Sequence, residues 1–503
     1  MSAKQWTLAR IGMSGALLGL ILTLEACAVG PDYVAPKTEL TPFHNAVVAS
    51  AKDASTTPTL DQWWTGFDDA MLVTIIQRAL SQNLDLATAM ARVAQARAAA
   101  AGAGAQLLPT SELDASATYE HQSLRGEIGS IASGIPGFSR GIHDYSIGPA
   151  ASWEIDLFGG LRRGAAASRA EAQAAEADQA GTRVSVAADA ADAYLQIRGY
   201  QARLAVAQDQ IHTDERLLGL VNDRYKAGSS TGREIAQADA LLKQARASIP
   251  PLRIGLEQQM NRLDVLMGAQ PGTYAAELSV VKAIPSVPAI PTDDTPVDML
   301  RRRPDIIAAE RRLSASNERI GAAISDYYPK VSLSGALGFD SLQAGHLFTG
   351  SAFQAVGGPS LRWRLFDFGR VNAEVAQAKG ANAESLALYR QSVLRAAEDV
   401  ENALVTLSQT QVRVEEIQDQ VQALTKARDL SEQAYRAGSI TLTDVLNADT
   451  QLLTARDELD ANRSGAARAA VGVFRAFGGG WTPANSASAA SSRMRTASIA
   501  VNP

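Results

Sequence analysis

Tyr225 to Arg246 reads YKAGSSTGREIAQADALLKQAR, and Tyr435 to Arg456 reads YRAGSITLTDVLNADTQLLTAR. The two stretches align without a gap, 210 residues apart, pairing Tyr225 with Tyr435, Gly228 with Gly438, Thr231 with Thr441, Asp239 with Asp449 and Arg246 with Arg456. In each, a helical run ends at an Ala-Gly pair, where glycine supplies the positive φ that stops a helix. The Ser and Thr residues that follow, Ser229 and Ser439 among them, offer N-caps for a returning helix. The chain carries one helical elbow twice.

The register extends backwards. Pro149, Trp153, Phe158 and Gly159 lie 210 residues before Pro359, Trp363, Phe368 and Gly369. Earlier still the offset is 220, pairing Asp85 with Asp305, Arg92 with Arg312, Pro109 with Pro329 and Leu113 with Leu333. The ten-residue difference falls in the Gly/Ser-rich stretch QSLRGEIGSIASGIPGFSRG, which reads as a surface loop. Each repeat, 71–268 and 296–477, is expected to hold a helix, a strand pair, a long helix and a returning helix. A Pro-rich linker, 269–295, joins them, and an Ala/Ser-rich tail, 478–503, reads as disordered.

A formal net charge of -6 argues against general nucleic-acid binding. The run Arg301-Arg302-Arg303 before Pro304 reads as a solvated helix end. Five scattered histidines show no metal-ligand spacing, and AAAAGAGAQ lacks the Lys-Ser/Thr of a phosphate loop. Gly478-Gly479-Gly480 is a helix breaker. No catalytic constellation is present, and no cofactor is expected.

Lys4 and Arg10 precede an apolar run, Ile11 to Leu24, too short to span a bilayer. Leu24-Glu25-Ala26-Cys27 follows and resembles a bacterial lipoprotein box, although Glu25 departs from the usual small or apolar residue. Residues 1–26 are then a leader, and 27–70 begins with Cys27 carrying diacylglyceryl and N-acyl chains. Ala28 in place of Asp favours the outer membrane.

Four segments alternate apolar and polar residues: Leu113–Glu120, Tyr145–Leu157, Lys330–Phe339 and Ser360–Leu365. A membrane barrel requires that period, and so does a half-buried soluble sheet. The secretion signal, the lipid anchor and aromatic residues near strand ends (Tyr119, Tyr145, Trp153, Phe158, Trp363, Phe368) favour the membrane. Four strands leave two open edges, which lipid does not tolerate, so several chains must share one barrel. Two chains would give a narrow filled barrel and three a twelve-stranded one with a lumen; the number stays open here.

The long helical runs, 161–226 and 371–436, would each reach roughly 100 Å at 1.5 Å per residue. Ile197, Leu204, Ile211, Leu218 and Tyr225 recur every seven residues, as do Leu407, Val414 and Val421, which implies coiled-coil pairing. Ala-rich stretches such as GAAASRAEAQAAEADQA permit close approach of neighbouring helices.

CAVGPDYVAP, DQWWTGFDDAMLVTIIQRAL, ASWEIDLFGGLRR and the two YxAG elbows together resemble the TolC-like outer-membrane factors, in particular the lipoprotein branch serving RND-type efflux systems. The resemblance spans nearly the whole mature chain. It implies a mixed α and β fold: a homotrimeric twelve-stranded barrel, four strands per chain, continuous with a long periplasmic helical barrel. It also implies an exit duct for small molecules, working with a periplasmic adaptor and an inner-membrane pump. On this resemblance Glu234 and Asp444 constrict the periplasmic opening, with Asn447 where some relatives carry a second Asp. Adaptor hairpins would dock at Tyr225, Gly228, Ser229, Tyr435, Gly438 and Ser439. The alternatives are a periplasmic coiled-coil adaptor lipoprotein, disfavoured by two hairpins and four strands, and the outlet of a type I protein-secretion system.

Overall fold

A computed structural model of the chain describes residues 28–37, 42–45, 58–132, 134–290 and 296–482; Cys27, the leader and the tail beyond Thr482 lie outside the described residues. The chain divides into two compact units, 1–36 with 94–174 and 310–388, and 37–93 with 175–309 and 389–503. Each unit draws on both sequence repeats.

Helices α1 (Ala70–Gln82) and α2 (Leu84–Ala105) replace the single helix expected at the start of the first repeat. Asn83 breaks it: its backbone is extended, and its Oδ1 accepts the amides of Asp85 (2.9 Å) and Leu86 (3.1 Å), starting a new helix. Strands β1 (Thr110–His121) and β2 (Gly141–Ile155) precede α3 (Gly160–Lys226). The returning helix is also divided, into α4 (Gly232–Ala247) and α5 (Ile249–Leu266). Pro250 and Pro251 explain the break at Ser248, because proline lacks the amide a helix interior needs and fits only its first turn. The second repeat runs α6 (Pro304–Ser325), β3 (Lys330–Ser341), β4 (Phe353–Arg362), α7 (Arg370–Arg436) and α8 (Leu442–Ala476), the last unbroken. The fourth strand thus starts seven residues before Ser360 and stops short of Trp363. No helix among the described residues is long and apolar enough to cross a membrane.

In the first unit the strands form one antiparallel sheet in the order β1-β2-β3-β4. Ala167, Ala170 and Ala315 bring the start of α3 and the middle of α6 into close contact. The segment after Cys27 is held there too. The Val29 amide donates to the Phe158 carbonyl (3.1 Å), and Arg163, on α3, bridges Asp32 (2.8 Å) and Glu318 (2.9 Å). Gly30 has φ +96°, and a Cβ there would sit 2.5 Å from the Gly321 Cα.

In the second unit Trp63 is the core anchor, stacked on Phe474 at 5.3 Å and edge-on to Trp64 at 5.5 Å. Helix α3 lies between α5 and α8, tied by Arg262 to Asp192 (3.7 Å) and by Arg203 to Asp457 (2.8 Å). Helix α8 in turn meets α7 through Arg428 and Asp449 (2.9 Å). Of the basic run only Arg301 is a solvated helix end. Arg302 pairs with Asp61 (3.0 Å), and Arg303 is buried between Asp305 and Asp399 (2.8 and 2.9 Å), also donating to the carbonyls of Ala396 and Ala476. Its planar fork satisfies several acceptors at once, which makes its burial tolerable.

Gly30→Ala should destabilise the first unit, by about 1 kcal/mol for the left-handed backbone alone and by more once the overlap with Gly321 is added. Thermal unfolding in detergent, followed by circular dichroism, reads the loss as a lowered Tm; an unchanged Tm would show that the segment is not seated there.

Candidate functional site: the sheet and the two helix elbows

Strand pairing assigns the two faces of the sheet. Trp153 lies opposite Leu333, which lies opposite Pro359, and Ala115, Ile147, Phe339 and Phe353 form another row. With a period of two, that face also carries Leu113, Tyr119, Tyr145, Ile155, Val331, Leu337 and Leu361. Much of it is open to solvent in the single chain: Leu113, Tyr119, Leu337, Phe353 and Leu361 are all exposed. The opposite face carries Glu112, Asp114, Glu120, Asp144, Glu154 and Asp340 against Lys330 and Arg362, so it is polar and net acidic. Strands β1 and β4 are the edges, each with one row of backbone groups without a strand partner among the described residues.

The aromatic residues named from sequence fall at the two ends of this sheet. Tyr119 and Tyr145 flank His143, at ring distances of 4.8 and 6.2 Å, where β1 turns back into β2. At the other end the Trp153 indole donates to the Leu107 carbonyl (3.0 Å) and the Trp363 indole to the Tyr327 carbonyl (3.0 Å). Leu107 and Tyr327 are themselves 220 residues apart, so the repeat reproduces the anchor as well as the residue. Phe158 stacks on Tyr328 at 4.5 Å, while Phe368 has φ 53° and is fully exposed. Sequence reading missed the cluster of Phe339, Phe348 and Phe353, with ring distances of 5.7 and 5.9 Å. The Gly-Gly-Pro-Ser centre of β4 hides its alternation and pushed the expected strand too far along the chain.

Both elbows close in the same way. The amide of Gly228 donates to Tyr225 O (2.9 Å) and that of Ser229 to Arg224 O (2.8 Å); Gly438 and Ser439 repeat both bonds, each at 2.9 Å, to Tyr435 and Ala434. Gly228 and Gly438 have φ 73° and 78°. This is the double bond pattern of a glycine-terminated helix. The serine hydroxyls also turn back to those carbonyls, so Ser229 and Ser439 finish the outgoing helices. The N-caps of the returning helices are Thr231 and Thr441 instead.

Glu234 and Asp444 complete these caps. The Thr231 amide donates to Glu234 (2.8 Å) and the Thr441 amide to Asp444 (2.9 Å), and both threonine hydroxyls do the same. The Ser230 hydroxyl (2.7 Å) and the Thr231 amide hold the Glu234 carboxyl below its ordinary pKa. Asn447 is exposed one turn beyond Asp444.

The repeat is broken by packing. Tyr225 is 51% exposed, whereas Tyr435 is 3% exposed in a cluster with Leu217, Val221, Ala238, Leu442 and Val445. Arg224 lies 4.5 Å over the Tyr435 ring and donates to its carbonyl (2.7 Å). The Tyr435 ring is therefore not available as a docking surface in this arrangement. Asp239 and Asp449 diverge likewise: the first is half-buried beside Lys243, the second is 1% exposed and holds Arg428.

Near Asp449 lies Asp214, equally buried. One Asp214 oxygen accepts from Gln210 (2.7 Å); the other, like one oxygen of Asp449, has no partner among the described residues. Burial, reinforced by the Asp449 charge, pushes the Asp214 carboxyl from 3.8 up to about 6. Nothing in the sequence marks Asp214, because its burial depends on how the hairpins meet.

The chain matches the family described as outer membrane efflux protein over residues 75–269 and 295–479. It is 30% identical over 468 residues to the pyoverdine export outer membrane protein OpmQ of Pseudomonas aeruginosa, covering 93% of this chain and 96% of that protein. Nodulation protein T of Rhizobium leguminosarum bv. trifolii is 28% identical, with 92% and 96% covered. Among solved structures, the outer-membrane channel OprN superposes with a TM-score of 0.83 at 34% identity, over 91% of this chain and all of that one.

A raised carboxyl pKa means the folded chain binds a proton that the unfolded chain has released. The contribution of Asp214 to stability is therefore greatest at low pH and is lost as pH rises from about 4 through about 6. Asp214→Asn should flatten that fall; Tm measured from pH 4.5 to 7.5 for both proteins checks it, and parallel curves would sink it.

Proposed function

Since this chain belongs to the outer membrane efflux protein family, we propose that its four strands are one part of a barrel closed by other copies of itself. The protein is an outer-membrane efflux component that passes small molecules out of the cell. The observation that carries the barrel reading is a sheet with one apolar, exposed face and two unpaired edges. In hydrocarbon every unpaired backbone group costs several kcal/mol, so the edges must meet edges. Three chains give twelve strands and a lumen lined by the acidic face.

The repeat supports the ring and names a contact in it. Inside one chain the Ser464 hydroxyl on α8 donates to the Leu195 carbonyl on α3 (2.9 Å). Moving 210 residues along the repeat turns Ser464 into Ile254 on α5 and Leu195 into Val405 on α7. These two helices are the outer members of the α5-α3-α8-α7 row, and Ile254 and Val405 are 58% and 39% exposed. Apolar side chains at equivalent positions on two open helix faces fit a contact between Ile254 of one copy and Val405 of the next.

Within this reading Cys27 carries lipid. Ala28, the residue after it, would touch a Cβ added at Gly159 (2.9 Å), at the β2–α3 junction. A periplasmic adaptor docks on the exposed elbow groups Tyr225, Gly228, Ser229, Gly438 and Ser439, and an inner-membrane pump selects the cargo. Glu234, Asp444 and Asn447 line the closed periplasmic end.

Two measurements test these assignments. Ile254→Cys with Val405→Cys should give an SDS-resistant covalent trimer after oxidation of outer membranes, and neither single variant should; a ladder ending at dimer would refute the three-fold ring. Glu234→Gln with Asp444→Asn keeps the capping groups and removes the charges. Its single-channel conductance in a planar bilayer should exceed that of the unchanged protein, and equal conductance would remove these acids from the gate.

A further inference from the structure

The second unit contains a cleft of about 650 Å³ between the Leu60–Phe67 turn, α1, α3 and the end of the described chain. Its lining includes Trp64, Gln77, Gln179, Arg183 and Trp481. Arg183 donates through Nε to the Gly480 carbonyl (2.9 Å), which fixes the plane of its guanidinium. Its two terminal nitrogens meet no carboxylate among the described residues, and burial lowers its pKa. Asp61, the carboxylate of the same cleft, is already held by Arg302 (3.0 Å) and the Thr482 hydroxyl (2.8 Å). Among the described residues the buried Trp481 indole N–H has no acceptor, and the carboxamides of Gln77 and Gln179 make no hydrogen bond.

This is an unusual set of free groups. A half-buried guanidinium with its fork open is an anchor for a carboxylate, since a charge-assisted bidentate pair is the strongest partner it can find. Free carboxamides match acetamido groups, which present one donor and one acceptor. Indole edges cover the apolar faces of sugar rings. We propose that the cleft binds a carboxylate-bearing, N-acetylated amino-sugar polymer, the chemistry of the cell-wall layer. The assignment rests on the exit-duct reading, because a protein crossing the periplasm passes through that layer. Such a contact would hold the duct at a set height in the wall without touching its lumen.

The test uses the full chain purified in detergent, with isolated wall sacculi for sedimentation and a soluble disaccharide-tetrapeptide for calorimetry. The unchanged protein should co-sediment and bind the fragment saturably. Arg183→Gln should weaken binding at least tenfold, and Trp481→Phe several-fold. Gln77 is exposed, so Gln77→Ala folds regardless and should also lose affinity several-fold. Absence of saturable binding by the unchanged chain, or equal affinity for the variants, would overturn the proposal. So would equally tight binding of the stem peptide without sugar, or of the disaccharide without carboxylates. Planar-bilayer conductance, measured in parallel, should be the same for all variants. Loss of conductance in the unchanged chain would instead strike at the exit-duct reading.

Discussion

A β-sheet satisfies its backbone only where a neighbouring strand exists, and this sheet stops after four. Its apolar face bears Leu113, Ile147, Leu333 and Leu361, which no other element of the first unit covers fully. Its polar face carries six carboxylates named above against one lysine and one arginine. A soluble protein would bury the first face and pair or blunt the edges. In lipid the apolar face is solvated as it stands, and only the edges remain to be closed. The mirrored tryptophans, Trp153 and Trp363, fix the backbone at the helix-proximal boundary with the same bond to the turn before each strand pair. Interfacial tryptophans commonly sit at such a boundary, one side apolar and the N–H satisfied.

The same logic of incomplete partners governs the helices. In the row α5-α3-α8-α7, the inner two helices are tied to a helix on each side, while Ile254 on α5 and Val405 on α7 remain exposed among the described residues. Ser464 packs over Gly199 and bonds to Leu195 on the inside of the chain, a close polar contact made possible by the missing side chain. At the equivalent outer positions the repeat has placed Ile254 and Val405, which suit an apolar contact between molecules. Duplication thus supplied one pair of equivalent positions, polar and packed inside the chain at Ser464, apolar and exposed at Ile254 and Val405.

The elbows show how far duplication and divergence can separate. Gly228 and Gly438, Thr231 and Thr441, Glu234 and Asp444 perform the same local tasks, because ending one helix and starting another requires only nearby backbone groups. Tyr225 and Tyr435 share a sequence context and have opposite surroundings. Asp239 and Asp449 do too. What differs is the partner each meets: Arg224 of the first hairpin covers Tyr435, and Arg428, within the second hairpin and equivalent to Leu218 in the first, reaches Asp449. The buried acids Asp214 and Asp449 each leave one oxygen without a partner among the described residues, and burying an unpaired polar atom costs stability.

Periodicity and glycine placement, read along the chain, were enough for the elbows, the long helices, three of the four strands and the doubled plan, since each depends on residues close in sequence. They missed where local rules compete. Asn83 caps as well as helix pattern could continue, the Pro250-Pro251 pair could begin a helix as well as end one, and β4 has glycines where alternation should be. Burial lay beyond sequence altogether. That Arg303 is enclosed and Tyr225 is not, that Asp214 meets Asp449, and that Arg183 faces a cleft whose acid, Asp61, is held by Arg302 are all decided by segments hundreds of residues apart coming together. Local conformation is set by neighbours along the chain, whereas the solvent a side chain loses, and therefore its charge and its partners, is set only by what the folded chain brings against it.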